Sequence, residues 1–198
     1  MLSYDLPLYR PPSEAQSLIF QITLGCSHNA CLFCTMYKSK TFRLRPLQEI
    51  LQEIKNIAPY VPQTLRVFLA DGDALVLKTQ DLLFILKTLK QSFPLLRRVS
   101  LYANAKNILS KSLEELSLLK QGGLSLIYLG LESGSPTILE NMNKGSTPKE
   151  NIEAILKAKE AGLKTSVMVI SGLGGQSLTQ EHALLSAQAI SQMNPDFF

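Results

Sequence analysis

Cys26, Cys31 and Cys34 are the only cysteines of this chain, and they fall within the nine-residue stretch Cys26-Ser-His-Asn-Ala-Cys31-Leu-Phe-Cys34. An odd number of closely spaced thiols does not make a disulfide framework, which pairs cysteines evenly, so the pattern points to a metal ion or an iron–sulfur cluster. Three protein ligands leave one coordination position open, and an open position belongs to catalytic rather than structural sites. Three arrangements compete. Zinc would recruit His28 to complete a tetrahedron, although a histidine two residues from Cys26 is awkwardly placed to share its ion. A plant-type [2Fe–2S] centre uses the same Cys-x4-Cys-x2-Cys spacing but needs a fourth cysteine, which these 198 residues lack. A [4Fe–4S] cluster on three thiolates keeps one iron free for a small molecule.

The elements that must hold this loop alternate between strand and helix. Leu18 to Leu24 reads as a first strand. The cysteine loop leads from it to Pro46, a suitable first helical residue, after which Leu47, Ile50, Leu51, Ile54 and Ile57 share one helical face. Leu65 to Ala70 is a second strand ending in Asp71-Gly72-Asp73, and its helix carries Leu82, Leu83, Leu86 and Leu89 before Pro94. Val99 to Ala103 is a third. Its helix opens with the capping-box pattern Ser112-Leu-Glu-Glu115 and closes at Gly122-Gly123. Leu124 to Leu131 is a fourth strand, followed by a helix that starts at the second capping box, Thr147-Pro-Lys-Glu150, and ends at Gly162. Lys164 to Ile170 is a fifth, leading through Gly172-Leu-Gly-Gly175 to a helix over about Thr179 to Met193.

Near-continuous apolar strands alternating with helices predict an α/β fold with a parallel sheet and right-handed crossovers. Doubly wound sheets and barrels both fit that pattern. The cysteines, Asp71-Gly72-Asp73, Asn104, Glu132 and the Gly172 turn all fall just after strand ends, the rim on which α/β folds build their sites. Asn194-Pro-Asp-Phe-Phe198 reads as the entry to a sixth strand. Residues 18–198 are therefore expected to form a core that stops before that strand, with residues 1–17 as an N-terminal extension.

With 45% hydrophobic and 18% charged residues, the composition is that of an ordinary globular chain. A formal net charge of +4 is too mild to argue for a nucleic-acid partner. No secretory signal and no run of 18 apolar residues is visible, so the reading is a cytoplasmic protein without membrane attachment, in a compartment where thiols stay reduced. No Gly-x4-Gly-Lys motif or serine, histidine and aspartate arrangement competes for a catalytic role. Lys38, Lys40, Arg43 and Arg45 follow the cysteines closely; they read first as a solvated face and second as a docking place for an anionic substrate or electron donor.

A three-cysteine loop after the first strand, with the aromatic Phe33 immediately before the last cysteine, resembles the radical S-adenosylmethionine (radical SAM) superfamily, and the resemblance covers essentially the whole chain. The stretch from Gly25 to Lys38 resembles a bacterial and archaeal subgroup of it in particular. The resemblance implies a partial (β/α) barrel of about five β/α units, with parallel strands inside and helices outside. It implies a [4Fe–4S] cluster on Cys26, Cys31 and Cys34, whose open iron is chelated by S-adenosylmethionine. It implies reductive cleavage to a deoxyadenosyl radical that abstracts hydrogen from a substrate, with electrons from a reductant such as flavodoxin or ferredoxin. The Cys26–Cys31 spacing is one residue longer than the common superfamily spacing, which lengthens the loop without removing a ligand.

By position, the resemblance assigns Gly72 and Asp73 to the methionine amino group, Glu132 and Ser133 to the ribose hydroxyls or the methionine part, Gly172 to the adenine, and Phe33 to the adenine or to shielding the cluster. Asn104 is a polar group at the same rim. Plainer readings stand beside these: a tight turn at Asp71–Asp73, core packing for Phe33 and turn formation for Asn104. Outside the zinc alternative, His28 reads as a surface loop residue or as a proton donor to a substrate. The reaction after radical formation is open among hydrogen abstraction, methylthiolation, methylation, rearrangement and decarboxylation. The competing class is a non-catalytic iron–sulfur electron carrier or a zinc-stabilised domain.

Overall fold

A computed structural model describes residues 2–198. The first parallel strand, β1 (Leu18–Gln21), is shorter than expected, because the chain leaves the sheet at Ile22. There the Ile22 N–H still donates to the Ala70 carbonyl at 2.6 Å, while its own carbonyl accepts from Arg45. The next two residues, β2 (Thr23–Leu24), pair antiparallel with β3 (Arg43–Leu44). The expected Leu18–Leu24 strand is thus two strands. The second is a short ribbon that stands the intervening cysteine loop on the rim of the sheet.

The regular β/α units follow as α1 (Leu47–Ile57), β4 (Arg66–Ala70), α2 (Thr79–Ser92) and β5 (Arg98–Tyr102). Next come the short α3 (Ala105–Ser110), α4 (Leu113–Gly122), β6 (Leu124–Glu132), the short α5 (Pro136–Asn141), α6 (Pro148–Glu160), β7 (Lys164–Val169) and α7 (Thr179–Met193). Both capping boxes form: the Glu115 N–H donates to Ser112 Oγ at 3.0 Å, and the Thr147 N–H to Glu150 Oε2 at 2.7 Å. Two orphan donors at each helix start are satisfied in this way. Neither α3 nor α5 shows a long apolar period in the sequence, and both were missed there. Each begins on a side-chain cap, Asn104 accepting from Asn107 and Ser135 accepting from Ile138.

The sheet order is β1-β4-β5-β6-β7, parallel throughout. Successive units lie side by side with no reversal, so there is no topological switch point of the doubly wound kind; this is the order of an open (β/α) barrel. Alternation along the strands sorts the core. On β4, Val67 and Leu69 face the helices with Ile50, Ile54, Ile85 and Leu89, while Phe68 and Ala70 face the concave side with Ile19, Leu126 and Tyr128.

Residues 2–17, expected as an extension, run beneath that concave side. Tyr4 and Leu8 pack on its apolar residues, and the wholly buried Glu14 accepts from Arg98, Ser100 and Tyr128 at 2.8, 2.8 and 2.7 Å. At the opposite edge Phe197 pairs parallel with Ser166, as the start of a further strand on β7 would. Among the described residues no helix is long and apolar enough to cross a membrane.

Candidate functional site

The cysteine loop is fastened from below. Asp71, wholly buried just after β4, accepts from the Gly25 N–H at 2.9 Å, from Gln21 Nε2 at 3.0 Å and from Lys40 Nζ at 3.0 Å, so one carboxylate ties both ends of the loop to the sheet. Lys40 also pairs with Asp5 at 3.2 Å, which brings the N-terminal segment into the same anchor. From the side the loop rests on the turn after α5. The Leu32 N–H donates to the Met142 carbonyl at 2.9 Å, His28 Nε2 to the Asn143 carbonyl at 2.7 Å, and Asn143 Nδ2 to the Ala30 carbonyl at 3.3 Å. Gly145 permits this close approach. Its φ is +76°, and a Cβ there would lie 2.4 Å from His28 Cε1.

Held in this way, Cys26, Cys31 and Cys34 are free, half-buried thiols that line one cavity of about 420 Å³ on the concave side of the sheet. Burial pushes the Cys26 and Cys31 thiols above their ordinary value, and the Lys144 ammonium partly opposes this at Cys31. His28, the fourth ligand a zinc site would need, is committed to the Asn143 carbonyl. Among the described residues no three His, Cys, Asp or Glu side chains sit close enough to share a single ion. Three thiols on one loop, facing an open cavity, fit a cluster that takes one thiolate per iron.

The cavity wall carries few charges. Glu132 closes β6 in the left-handed region, φ +64°, where the register to β7 shifts. Its Oε1 lies 3.2 Å from Lys144 Nζ, and that ammonium also stands 5.8 Å from the centre of the Phe33 ring. Phe33, Gly72, Asn104 and Glu132 all line the cavity. Gly72 is required in its place, because a Cβ there would lie 2.7 Å from the Tyr37 ring.

Three expected contacts are placed differently. Asp73 is wholly buried behind the wall, where its Oδ2 accepts from Asn104 Nδ2 at 2.7 Å and from Ser27 and Asn107, while Oδ1 has no partner. Burial pushes its carboxyl up to about 6. Asp73 thus grips Ser27, the residue after Cys26, and Asn104, two residues beyond β5, and Asn104 rather than Asp73 presents a polar group to the cavity. Ser133 is buried too, with its Oγ 2.8 Å from His182 Nδ1. Gly172 lies outside the lining; Met168 and Ile170 supply that wall.

Sequence reading missed Lys144, Tyr102 and Tyr128. Lys144 sits in a turn with no motif to mark it. The two tyrosines occupy inward positions on β5 and β6, and strand alternation points to them once the concave side is known. Burial raises both hydroxyls, that of Tyr128 to about 12, so both stay protonated; the Tyr128 hydroxyl donates to Glu14 beneath the sheet, and its ring is what lines the cavity.

A family model described as the Radical SAM superfamily matches residues 20–186. The chain is 28% identical over 181 residues to a putative methylthiotransferase of Methanocaldococcus jannaschii, covering 83% of this chain and 38% of that protein. It is 26% identical over 189 residues to an uncharacterised methyltransferase of Pyrococcus horikoshii, covering 92% and 39% respectively. The chain therefore spans about two fifths of the length of these relatives. Among solved structures, a radical S-adenosylmethionine methyltransferase of Kitasatospora setae with cobalamin and a [4Fe–4S] cluster bound superposes with a TM-score of 0.70 at 19% identity, over 90% of this chain and 35% of that one. That likeness agrees with the barrel order read from the sheet. Enzymes of this family use a [4Fe–4S] cluster and S-adenosylmethionine, act on a substrate and need a reductant. The family model runs from β1 into α7, across every strand end that builds the cavity, and the chain belongs to the radical SAM superfamily.

Proposed function

We propose that Cys26, Cys31 and Cys34 hold a [4Fe–4S] cluster and that the cavity above it receives S-adenosylmethionine. The observation that carries this reading is that all three free thiols line one 420 Å³ cavity at the C-terminal rim of the parallel sheet. Held by these three thiolates, the cluster would supply the electron for reductive cleavage of the S-adenosylmethionine sulfonium, the chemistry that gives methionine and a deoxyadenosyl radical able to take a hydrogen atom from a substrate.

The chain's own residues bind, orient and exclude water. Glu132 accepts hydrogen bonds from ligand hydroxyl or ammonium groups, with Lys144 beside it as a counter-charge for a carboxylate. Asn104 offers its amide, Gly72 lets the ligand approach backbone, and Phe33 covers the cysteines with an apolar ring. Asp73 and Ser133 act one step behind, by fixing Asn104 and the end of β6. Gly172 lies beyond the lining, where its φ of +80° shapes the turn that follows Ile170.

The two relatives named as a methylthiotransferase and a methyltransferase make transfer of a methylthio or methyl group the first reaction class to test. Flavodoxin or ferredoxin is the natural reductant to supply. The deciding experiment is the electron paramagnetic resonance spectrum of the anaerobically reconstituted, reduced full-length protein, with and without S-adenosylmethionine. A [4Fe–4S] signal that changes when S-adenosylmethionine is added supports the reading. An unchanged signal, or full iron and sulfide content in Cys31→Ala, would overturn it.

A further inference from the structure

His182, on α7, is buried and lies outside the cavity lining. Its Nε2 is 3.0 Å from the carbonyl oxygen of Ile170, which can only accept, so Nε2 carries the proton and donates. In the neutral ring Nδ1 is then the acceptor, and the Ser133 hydroxyl donates to it at 2.8 Å. Ser133 Oγ accepts in turn from the Ser135 N–H at 3.0 Å. Both partners of the imidazole flank Glu132. Ser133 follows it in the chain, and the Ile170 N–H donates to the Glu132 carbonyl at 3.1 Å.

Glu132 needs such bracing. A glutamate at φ +64° sits in a region that side chains rarely adopt, and such a conformation persists only where the surroundings over-determine it. Helix α7 reaches the brace because residue 134 is glycine. A Cβ there would lie 2.1 Å from the Leu185 carbonyl oxygen, and the Gly134 N–H donates to Ser186 Oγ at 2.9 Å. One imidazole therefore ties the end of β6, the end of β7 and α7 together, and the residue enclosed by those ties is the one whose carboxylate faces the cysteines.

We propose that His182 is a positioning residue for cofactor binding, holding Glu132 in its left-handed conformation through Ser133 and Ile170 so that the carboxylate faces the cavity. This inference rests on the assignment of Glu132 to S-adenosylmethionine. Glu132→Ala removes the carboxylate; His182→Ala leaves it present but unbraced. If one acts through the other, the two changes are not additive in affinity.

The test is a double-mutant cycle on the reconstituted full-length protein, reading iron content and S-adenosylmethionine affinity from the titrated resonance signal. His182→Ala is expected to keep its iron and to bind S-adenosylmethionine about tenfold more weakly, as is Glu132→Ala, while the double variant is no more than about twofold weaker than Glu132→Ala alone. His182→Gln, whose amide nitrogen can donate to the Ile170 carbonyl, should recover part of the loss; it also serves if His182→Ala does not fold. Equal losses in both backgrounds would mean that His182 merely glues α7 to the sheet, and would overturn the proposal, as would unchanged affinity in His182→Ala. A wild-type protein with full iron that binds no S-adenosylmethionine would instead overturn the assignment of the cavity, a separate outcome read before any variant is made.

Discussion

A Cβ built on Gly130 would lie 1.8 Å from Oε1 of Glu132, so the carboxylate facing the cavity occupies the space a side chain at position 130 would need. The two residues lie on either side of the register shift between β6 and β7. Gly130 does not have a positive φ, so alanine fits the backbone there, and only the flexible ends of Glu132 and Lys144 must give way. Gly130→Ala is expected to move the carboxylate off Lys144, to weaken S-adenosylmethionine binding about tenfold, and to change the stability by no more than about 1 kcal/mol. A cofactor titration beside a thermal melt checks this; intact affinity would show that Glu132 does not contact the ligand from its observed position.

Gly145 makes a different prediction, because its substitution strikes the cysteine loop from the side. Alanine at φ +76° costs about 1 kcal/mol, and its Cβ would meet the His28 ring at 2.4 Å. The turn carrying Met142, Asn143 and Lys144 should then lift from Ala30 and Leu32. Gly145→Ala is expected to lose iron to a chelator several-fold faster than wild type, and His28→Ala, which removes one bond without strain, less so. Equal rates in all three proteins would mean that this contact does not protect the loop.

Asp73 sets a pH dependence. Burial raises its carboxyl from 3.8 to about 6, so the folded protein holds this proton more tightly than the unfolded chain does. The contribution of this group is therefore most favourable below about pH 4, falls as pH rises towards 6 and stays low above it, by about 2–3 kcal/mol in all. Asp73→Asn keeps an oxygen for Ser27, Asn104 and Asn107 and removes the titration. Urea unfolding at pH 4.5 and 7.5 should show the variant gaining relative to wild type at the higher pH. A constant difference between the two proteins would refute the assignment of the shift to burial.

Glu14 predicts what the N-terminal segment contributes. Burial opposes ionisation of this carboxyl, but hydrogen bonds from Ser17, Tyr128, Ser100 and Arg98 outweigh it and hold the group below its ordinary value. Glu14→Ala takes the carboxylate from Arg98 and an acceptor from the Ser17, Ser100 and Tyr128 hydroxyls beneath the sheet, which should cost about 3 kcal/mol in urea unfolding. A loss below about 0.5 kcal/mol would make residues 2–17 a dispensable covering rather than part of the core.

The sequence determined the alternation of strand and helix, the parallel sheet, both capping boxes and the grouping of the three cysteines on one loop, because these depend on local periodicity and on residues close together in the chain. Strand order separated the barrel from a doubly wound sheet, and order is a property of pairing between segments tens of residues apart. The split of the first strand at Ile22 depends on Asp71 and Arg45, neither of them near it in sequence. The same distance explains the site. Phe33, Gly72, Asn104 and Glu132 were legible because each stands at or just after a strand end or beside a cysteine of the loop, where the fold class alone directs it to the rim. Asp73 and Ser133 stand at equally suggestive positions, yet they turn away from the cavity because Asn107 and His182 offer them buried hydrogen bonds that no local pattern announces. Which polar group faces a ligand and which one braces its neighbour is decided by where the unpaired donors and acceptors of other segments come to lie, and only the tertiary structure brings those together.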